Sequence, residues 1–477
     1  MRSRKSRHLG ALLASKGDLR LKGAVRRLLE GRPGEEIKVP AEFNHRDYAI
    51  LLLHIGAEIE HALMVEYLYA AYSLGGPGVP PSHQDMVRGW QEIMLGIAKE
   101  EMGHLISVQN VLRLIGAPIC LDREDFPWSN EFYPFPFKLE RFTKDALAKY
   151  LFAESPVDWS GPVADEVKAI AQQASGHVEP NQVGKLYNAM IQLFSDPRFI
   201  PDSDFRASTY PFQASWDEWG RGYRGGARGN TTGQGIKNTP DVIVQPVSSR
   251  SDVINALTAI AQQGEAPPPL SEGGDTSHFT RFLAIYEQYK TVEGQFDPAR
   301  RMATNPYAPE DIDGIGGGSE QPGTRITNLR AAKWAHLANV RYRMLLTYIA
   351  HAFQVASGLA DTDLVSSRGL LINSTFGEMY NLRALTNVLS SLPVSLVPTH
   401  EVAGPPFQMP YSLDLPLDEF DCWRIHRDLL RASEKLNLEL RAGASESQKA
   451  YLVALGDADQ STLDKVNRIL DRSRGRF

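Results

Sequence analysis

The sequence predicts an all-α protein whose core is a bundle of four helices. Three observations support this fold class. Long stretches repeat apolar residues every three to four positions, which is the period of a helix with one buried face. Breaks rich in Gly and Pro, such as GGPGVPPS and VAGPPFQMP, separate these stretches. The chain shows no series of alternating apolar and polar residues, so no series of strands is predicted.

The helical stretches suggest three parts in this chain of 477 residues. Residues 1–42 are a basic N-terminal arm, residues 43–292 form the bundle, and residues 293–477 form a helical extension packed on the bundle. A short helix is expected at 139–153, and a long insertion at 155–248 has one clear helix, near NQVGKLYNAMIQLF. The extension holds four more helical stretches: residues 327–357, 365–391, 420–440 and 445–472.

The charge of the chain is small and unevenly distributed. The formal net charge of −6 is small, and ten Lys and Arg residues fall within residues 1–32, against only two acidic residues there. The rest of the chain is therefore acidic, which argues against a nucleic-acid partner. The basic arm fits a loosely docked terminus better than a binding surface.

Cysteine usage and the N-terminal sequence indicate a cytoplasmic protein. Cys120 and Cys422 are far apart and form no CxxC motif, which suits a reducing compartment. The run LGALLA is too short for the apolar core of a signal peptide, and we expect no membrane-spanning segment. A homodimer is expected because twofold dimers are the commonest assemblies of soluble proteins.

Residues 84–115 read as a long helix that carries Glu101 and His104 three positions apart. Both lie on the apolar stripe of this helix, where an unpaired polar group is costly. An acid and a histidine at i and i+3 on one face can reach the same metal ions. The alternative is that Glu101 faces solvent and His104 is a core histidine. Partner ligands on other helices decide between the two interpretations.

The preceding helix, residues 44–74, offers the first partner. Glu60 occupies an apolar position of its stripe, and the short Pro/Gly loop after it makes the two helices antiparallel neighbours. A second face of the same helix carries His54, Glu58 and His61 at i, i+4 and i+7, which is an alternative ligand set. We favour a polar seam, or side chains that orient the ligands, for these three residues.

Two later helices supply further candidates. Glu265 lies at the C-terminal end of the helix SRSDVINALTAIAQQGEAPP, which we expect to be capped by Ser251 or Asp252. His278 opens the next helix, within SEGGDTSHFTRFLAIYEQYK. Asp275 precedes His278 by three residues, as Glu101 precedes His104, but a capping role at the helix start is an equal alternative for Asp275.

Taken together, the four helices predict a dinuclear metal site. The predicted ligands are Glu60, Glu101, His104, Glu265 and His278. Carboxylate-bridged sites in helix bundles take a Glu from each of two helices and a carboxylate–histidine pair from each of the others. Two iron ions are the expected cofactor, with manganese or zinc as alternatives because they share these ligand types. Dioxygen or peroxide would take the open coordination positions, and Tyr67 with the aromatic residues of 126–137 would shape a substrate cavity.

Several sequence boxes together resemble one enzyme family. In chain order they are EIEHALMVEYLYAAYSL, IAKEEMGHL with NVLRLIGAPI, VGKLYNAMIQLF, AIAQQGEA, SHFTRF and AGPPFQMP. They resemble the ferritin-like domain of the iminophenyl-pyruvate dimer synthase family, which acts in violacein and indolocarbazole biosynthesis. The resemblance covers residues 44–410 and implies a ferritin-like core and an oxidative step on an amino-acid-derived substrate. It also implies metal ligands at the five positions named above.

The resulting hypothesis is a non-haem oxidoreductase, with two iron ions, that acts on a small organic substrate. One alternative is a ferritin-like iron-storage protein without substrate turnover, which would form a closed cage of many subunits. Another is a structural protein in which the buried acids and histidines pair only with each other.

Overall fold

The structure is a computed structural model of the chain. It describes residues 39–123, 132–219, 244–265, 277–309, 323–357, 367–397, 400–410 and 412–474. Within these ranges nearly all of the regular secondary structure is helical, which confirms the all-α fold class. Its strands are β1 (Pro306–Tyr307) and β2 (Thr324–Arg325), which pair in parallel. The chain divides into two compact units, residues 1–299 and 300–477.

The described part of the first unit contains eight α-helices. They are α1 (His45–Ser73), α2 (Gln84–Leu114), α3 (Lys144–Ala153), α4 (Pro162–Ala174), α5 (Val183–Ser195), α6 (Trp216–Trp219), α7 (Arg250–Glu265) and α8 (His278–Val292). The helices α1 and α2 form a long hairpin, and α7 and α8 pack on α2. The helix α5 packs on α1 and α7, and α3 packs on α8. The helix α2 is thus in contact with α1, α7 and α8.

The first helix, α1, is buried along nearly its whole length. It begins where the Asn44 side chain accepts a hydrogen bond from the backbone N–H of Asp47 at 2.9 Å. The sequence predicts no membrane-spanning segment, but α1 is long and apolar enough to cross a membrane, with a mean hydropathy of 1.4 over its most apolar 18 residues. Because 78% of that stretch is buried inside the protein, α1 is a core helix of the first unit.

The predicted insertion at 155–248 contains more helix than expected. Besides α5, it includes α4, which starts with Pro162 in the first turn after Gly161. The buried face of α4 consists of three residues, Ala164, Val167 and Ala171. Because this face is short and two of its residues are alanines, the apolar period of α4 is weak in the sequence. Since α5 packs directly on α1 and α7, this part of the chain contributes to the bundle itself.

Two helix starts differ from the prediction, and capping explains both. The helix α3 begins at Lys144 and not at 139, because the Thr143 hydroxyl accepts from the backbone N–H of Ala146 at 3.1 Å. The helix α7 is capped by Ser249 and not by Ser251 or Asp252. The Asp252 carboxylate accepts from the Ser249 N–H at 3.0 Å, while the Ser249 hydroxyl accepts from the Asp252 N–H at 3.3 Å. This reciprocal pair is a capping box.

The second unit has its own core. Its helices in the described ranges are α9 (Leu329–Ala352), α10 (Ser367–Leu389), α11 (Glu419–Arg441) and α12 (Glu446–Arg474). The core cluster is centred on Trp334, Leu337, Leu385 and Leu389, all fully buried. At its edge the buried Arg341 pairs with Glu378 at 3.0 Å and also with Asp459, so the charge is compensated.

Candidate metal centre

The first group of possible ligands lies between α1 and α2. Nδ1 of His104 is 2.8 Å from Oε2 of Glu101 and 3.3 Å from Oε2 of Glu60. All three side chains are buried, and their ligand atoms lie within 4.8 Å of one another. We call this group, Glu60 with Glu101 and His104, the His104 position. The i, i+3 spacing of Glu101 and His104 directs both side chains to it, as the sequence predicted.

The second group lies on the other side of Glu101. Nδ1 of His278 is 2.9 Å from Oε1 of Glu101 and 3.5 Å from Oε2 of Glu154. These three residues are also buried, with ligand atoms within 4.8 Å of one another. We call Glu101, Glu154 and His278 the His278 position. Glu101 therefore points one carboxylate oxygen at each position, which is the arrangement of a bridging carboxylate.

The carboxylates and imidazoles of the two positions offer donor atoms that metal ions accept. Oε1 of Glu101 and Nδ1 of His278 are buried and lie 2.9 Å apart, yet neither makes a hydrogen bond of normal geometry with the described residues. Buried polar atoms rarely stay unsatisfied, because each costs free energy. Three carboxylates and two imidazole nitrogens converging on two points are the ligands that iron, manganese and zinc accept. The residues present therefore fit a pair of such ions.

Glu154 is a ligand candidate that the sequence analysis missed. It follows α3 as the helix C-cap. A signal existed, because Leu147, Leu151 and Glu154 follow the helical period and continue the buried face of α3 by one position. This periodicity does not by itself predict a metal ligand, because Glu154 has no histidine three residues away.

The predicted ligand Glu265 and the further candidate Asp275 fall outside the description. Glu265 is the last residue of α7, and its side chain lies outside the described part, as does Asp275 entirely. The helix start near Asp275 is capped by Ser277, whose hydroxyl accepts from the Thr280 N–H at 3.2 Å. From α7 it is Gln263 whose side chain reaches the site, where Oε1 lies 2.9 Å from Nε2 of His104.

Hydrogen-bond partners behind the ligands hold their orientation. Nε2 of His278 donates to Oε2 of Glu100 at 2.8 Å, and Arg281 pairs with the same carboxylate. The Tyr67 hydroxyl donates to Oε1 of Glu154 at 2.6 Å, and the Tyr187 hydroxyl donates to Oε1 of Glu60. Glu60, Glu154 and His278 thus each have one atom held by a buried neighbour, which would leave the other atom for a metal ion.

Burial and mutual charge shift the pKa of the carboxylates in this site. Burial raises the pKa of Glu60 to about 8, and the charge of Glu101 adds to the shift. Burial acts in the same direction on Glu101, but the charges of His278 and His104 outweigh it, so the pKa of Glu101 lies well below its usual value. Glu101 is therefore the permanent negative charge of the site.

The histidine pKa values move upward. Burial opposes the shift at His104, but the charge and hydrogen bond of Glu101 outweigh it and raise the pKa of His104 to about 10. At His278 burial is again outweighed, by the charge of Glu101 and the hydrogen bond to Glu100, and the pKa rises well above its usual value. Without a metal, protons therefore occupy the ligand atoms and balance the acids.

A small cavity adjoins the site. Its space for the centre of a water-sized molecule is about 10 Å³, close to the minimum for one water. The cavity touches Glu60, His104, Glu101 and Glu154, but not His278. Its remaining walls are mostly apolar: Leu63, Val183, Gly184, Tyr187, Ile260, Ala261 and Gly264. A small molecule in this space would meet the His104 position.

The second polar face of α1 points away from the metal ligands. Nε2 of His54 lies 3.2 Å from the carbonyl of Pro118, and Nδ1 of His61 lies 2.9 Å from the carbonyl of Leu121. Tyr133 donates to Glu58 at 3.4 Å. These contacts form a polar seam against Pro118, Leu121 and Tyr133, and a polar seam is one of the two roles favoured for this face.

Comparison with known proteins identifies the architecture. The family model described as Ferritin-like matches residues 53–287, about half of the chain. This part of the chain is ferritin-like. The ferritin-like part runs from within α1 to within α8 and contains all the ligand candidates named above.

Two relatives support the resemblance that the sequence boxes predicted. The dichlorochromopyrrolate synthase of Lentzea aerocolonigenes is 26% identical over 460 residues, covering 88% of this chain and 40% of that protein. The 2-imino-3-(indol-3-yl)propanoate dimerase of Chromobacterium violaceum is 24% identical over 402 residues, covering 78% of this chain and 35% of that protein. These matches confirm the predicted resemblance. The chain spans less than half the length of both relatives, and no solved structure matches.

Proposed function

We propose that this chain is a metal-dependent oxidoreductase of specialised metabolism, with two iron ions held by its ferritin-like part. The observation that carries the proposal is the placement of Glu101, which directs one oxygen to His104 and the other to His278. A carboxylate shared between two sets of buried ligands is the feature that a dinuclear centre requires.

The protein's own residues would have distinct tasks. Glu60, Glu101, Glu154, His104 and His278 would hold the ions, and the expected ligand Glu265 stays a prediction. The hydrogen bonds from Nε2 of both histidines place Nδ1 beside the carboxylates, where it would bind a metal ion once its proton is displaced. Iron bound in such a site supplies redox chemistry with dioxygen or peroxide. The burial of every described ligand excludes bulk water from it.

The cavity size bears on which reactant reaches the ions directly. Space for about one water-sized molecule suits dioxygen or peroxide, whereas an aromatic substrate needs a pocket of several hundred Å³. We propose that the small oxidant enters this space. The organic substrate would then bind at the rim, or after the walls formed by α5 and α7 move apart.

The substrate class comes from the relatives. One is named as a synthase of dichlorochromopyrrolate and the other as a dimerase of an indole-containing imino acid. We propose an imino or keto acid derived from an aromatic amino acid as the substrate of this chain. Dimerisation is not part of the proposal, because the chain spans 40% and 35% of those proteins.

Location, assembly and domain division are further parts of the proposal. Both cysteines are free, in keeping with a reducing compartment, so we propose a cytoplasmic protein. We retain the homodimer and the division into arm, bundle and packed extension as proposals.

Metal content per chain, measured by plasma mass spectrometry, tests the function. We expect about two irons per chain in the wild type and near-complete loss in Glu101→Ala and His104→Ala. Glu92→Ala is the matched control, since Glu92 is exposed on the same helix. Negligible metal in the wild type after anaerobic loading with Fe(II) would reject the proposal. A closed cage of many subunits, without turnover of aromatic imino or keto acids under oxygen, would favour iron storage instead.

A further inference from the structure

The two histidines of the centre have different partners on their outer nitrogen. Nε2 of His278 donates to the Glu100 carboxylate at 2.8 Å, whereas Nε2 of His104 donates to the side-chain carbonyl of Gln263 at 2.9 Å. Both hydrogen bonds fix the same tautomer, with Nδ1 directed at the metal. They differ in charge, because Glu100 is a carboxylate and Gln263 is a neutral amide.

The difference in charge changes the strength of the ligand. A carboxylate that accepts the Nε2 proton pulls it away from the ring and raises the electron density at Nδ1, so the imidazole becomes a better donor. Hydrogen bonds to a charged acceptor are roughly twice as strong as those to a neutral one. Arg281 pairs with Glu100 and holds this carboxylate against His278.

Burial also differs between the two positions. His278 and Glu100 are 0% and 2% exposed, so their hydrogen bond is shielded from water. Gln263 is only partly buried, and the cavity touches Glu60 and His104, whereas at the His278 position it touches Glu154 and the shared Glu101 but not the His278 ring. The histidine of the His278 position is therefore closed off from the cavity, and the histidine of the His104 position is open to it.

From these differences we propose that the two metal positions are unequal, and that Glu100, held by Arg281, is the positioning residue responsible. The first ion binds tightly at Glu101, Glu154 and His278. The second ion binds more weakly at the His104 position, beside the cavity, where the small oxidant arrives. The inference rests on the proposed dinuclear site but adds an order of filling and names the residue that sets it.

Titration of the metal-free protein with Mn(II) tests the order of filling, because the electron paramagnetic resonance signal of aqueous Mn(II) reports the free ion. In the wild type we expect two ions bound, with dissociation constants at least about tenfold apart. Glu60→Ala should retain one ion with the tighter constant, and Glu154→Ala should retain one ion with the weaker constant. The reverse assignment would overturn the inference.

Glu100→Gln tests the positioning residue directly, because glutamine keeps the shape and an acceptor oxygen for His278 but removes the charge. We expect the tighter constant to weaken by about 10- to 100-fold, with the weaker constant unchanged. Glu92→Gln on the exposed side of α2 is the control and should change neither constant. Circular dichroism and thermal melting would establish that each variant is folded.

The possible failures are distinguishable. Two ions with equal constants, or a Glu100→Gln variant with an unchanged tighter constant, would overturn the inference and leave the dinuclear centre standing. No Mn(II) binding by the folded wild type would overturn the dinuclear centre as well, and the inference with it.

Discussion

At the scale of single residues, Glu101 determines how the centre behaves without metal. Its charge keeps protons on both histidines, and Glu60 shares in this because burial and Glu101 raise its pKa to about 8. A metal ion must displace these protons before it can bind. Protons and metal ions therefore compete for one set of atoms.

The competition predicts a pH dependence of metal affinity. His104, with its pKa raised to about 10, is protonated at neutral pH and must lose a proton to bind metal. Each displaced proton makes affinity rise about tenfold per pH unit while pH stays below that pKa. We expect Mn(II) affinity to increase at least tenfold from pH 6.5 to pH 7.5, measured by the free Mn(II) signal. A pH-independent affinity would contradict the protonated ligand set.

A second pair of buried histidines, His351 and His426 in the second unit, has lowered pKa values. Nδ1 of His351 and Nε2 of His426 lie 3.0 Å apart, both rings are fully buried, and Tyr348 stacks on His426 with a centroid distance of 4.5 Å. Burial lowers the pKa of His351 to about 4. Burial, followed by the charge of His351, lowers the pKa of His426. The folded state therefore holds both rings neutral.

The neutral pair predicts acid destabilisation of the fold. Below the unfolded pKa of about 6.5, the unfolded chain binds protons that the folded chain refuses. The free energy of unfolding should fall as pH drops from about 6.5 towards 4, by up to about 1.4 kcal/mol per pH unit for each histidine. Denaturant titrations at pH 7.5 and pH 5 measure the change. His426→Phe, although less stable at pH 7.5, should lose less between the two values, and an equal loss would contradict the assignment.

At the scale of secondary-structure elements, the close approach of α7 shapes the His278 position. A Cβ atom at Gly264 would lie 3.0 Å from Oε2 of Glu154, closer than ordinary side-chain contacts. Glu154 cannot easily give way, because Tyr67 holds its other oxygen at 2.6 Å. Glycine at this point of α7 lets the helix pass the ligand without displacing it.

A pair of glycine variants tests this packing. Gly264→Ala should weaken Mn(II) binding at the His278 position several-fold by displacing the Glu154 carboxylate. Gly89→Ala in α2 is the matched control. A Cβ atom at Gly89 would have no atom within 4 Å apart from its chain neighbours and the backbone of its own helix. The control should leave binding unchanged and raise the free energy of unfolding by about 0.5–1 kcal/mol. Unaltered binding in Gly264→Ala would show that Glu154 is not constrained from α7.

At the scale of the whole molecule, metal binding and folding of the first unit are linked. The candidate ligands come from α1, α2, α8 and the end of α3, which are far apart in the sequence. An ion that binds only when these elements have assembled stabilises the folded state. The candidate ligands thus connect the α1–α2 hairpin with α8 and the end of α3.

The linkage predicts a metal-dependent melting temperature. Free metal at about 100 times its Kd stabilises the folded state by about 2.7 kcal/mol. We expect calorimetry to show the Tm of the wild type rising by several degrees with Mn(II) and falling back when a chelator is added. Glu101→Ala, which lacks the bridging ligand, should show no such shift. An equal shift in that variant would mean that Mn(II) acts elsewhere on the protein.

The sequence by itself determined the helices and most of the candidate ligands that the structure brings together. The 3.6-residue period located α1, α2, α7 and α8 to within a few residues, since the burial of one helix face is a local property. Glu60, Glu101, His104 and His278 were recognisable because each is a polar residue at an apolar position or part of a short spacing. Such signals need no knowledge of which helices meet.

Only the tertiary structure decided what depends on distant elements meeting. It placed Glu154 opposite His278, brought α5 into the bundle, and gave the two histidines different outer partners, Glu100 and Gln263. These contacts join residues from about 120 to 180 positions apart, and no spacing within one helix encodes them. The inventory of the centre was thus local, whereas its bridging geometry and the inequality of its two positions arise from packing.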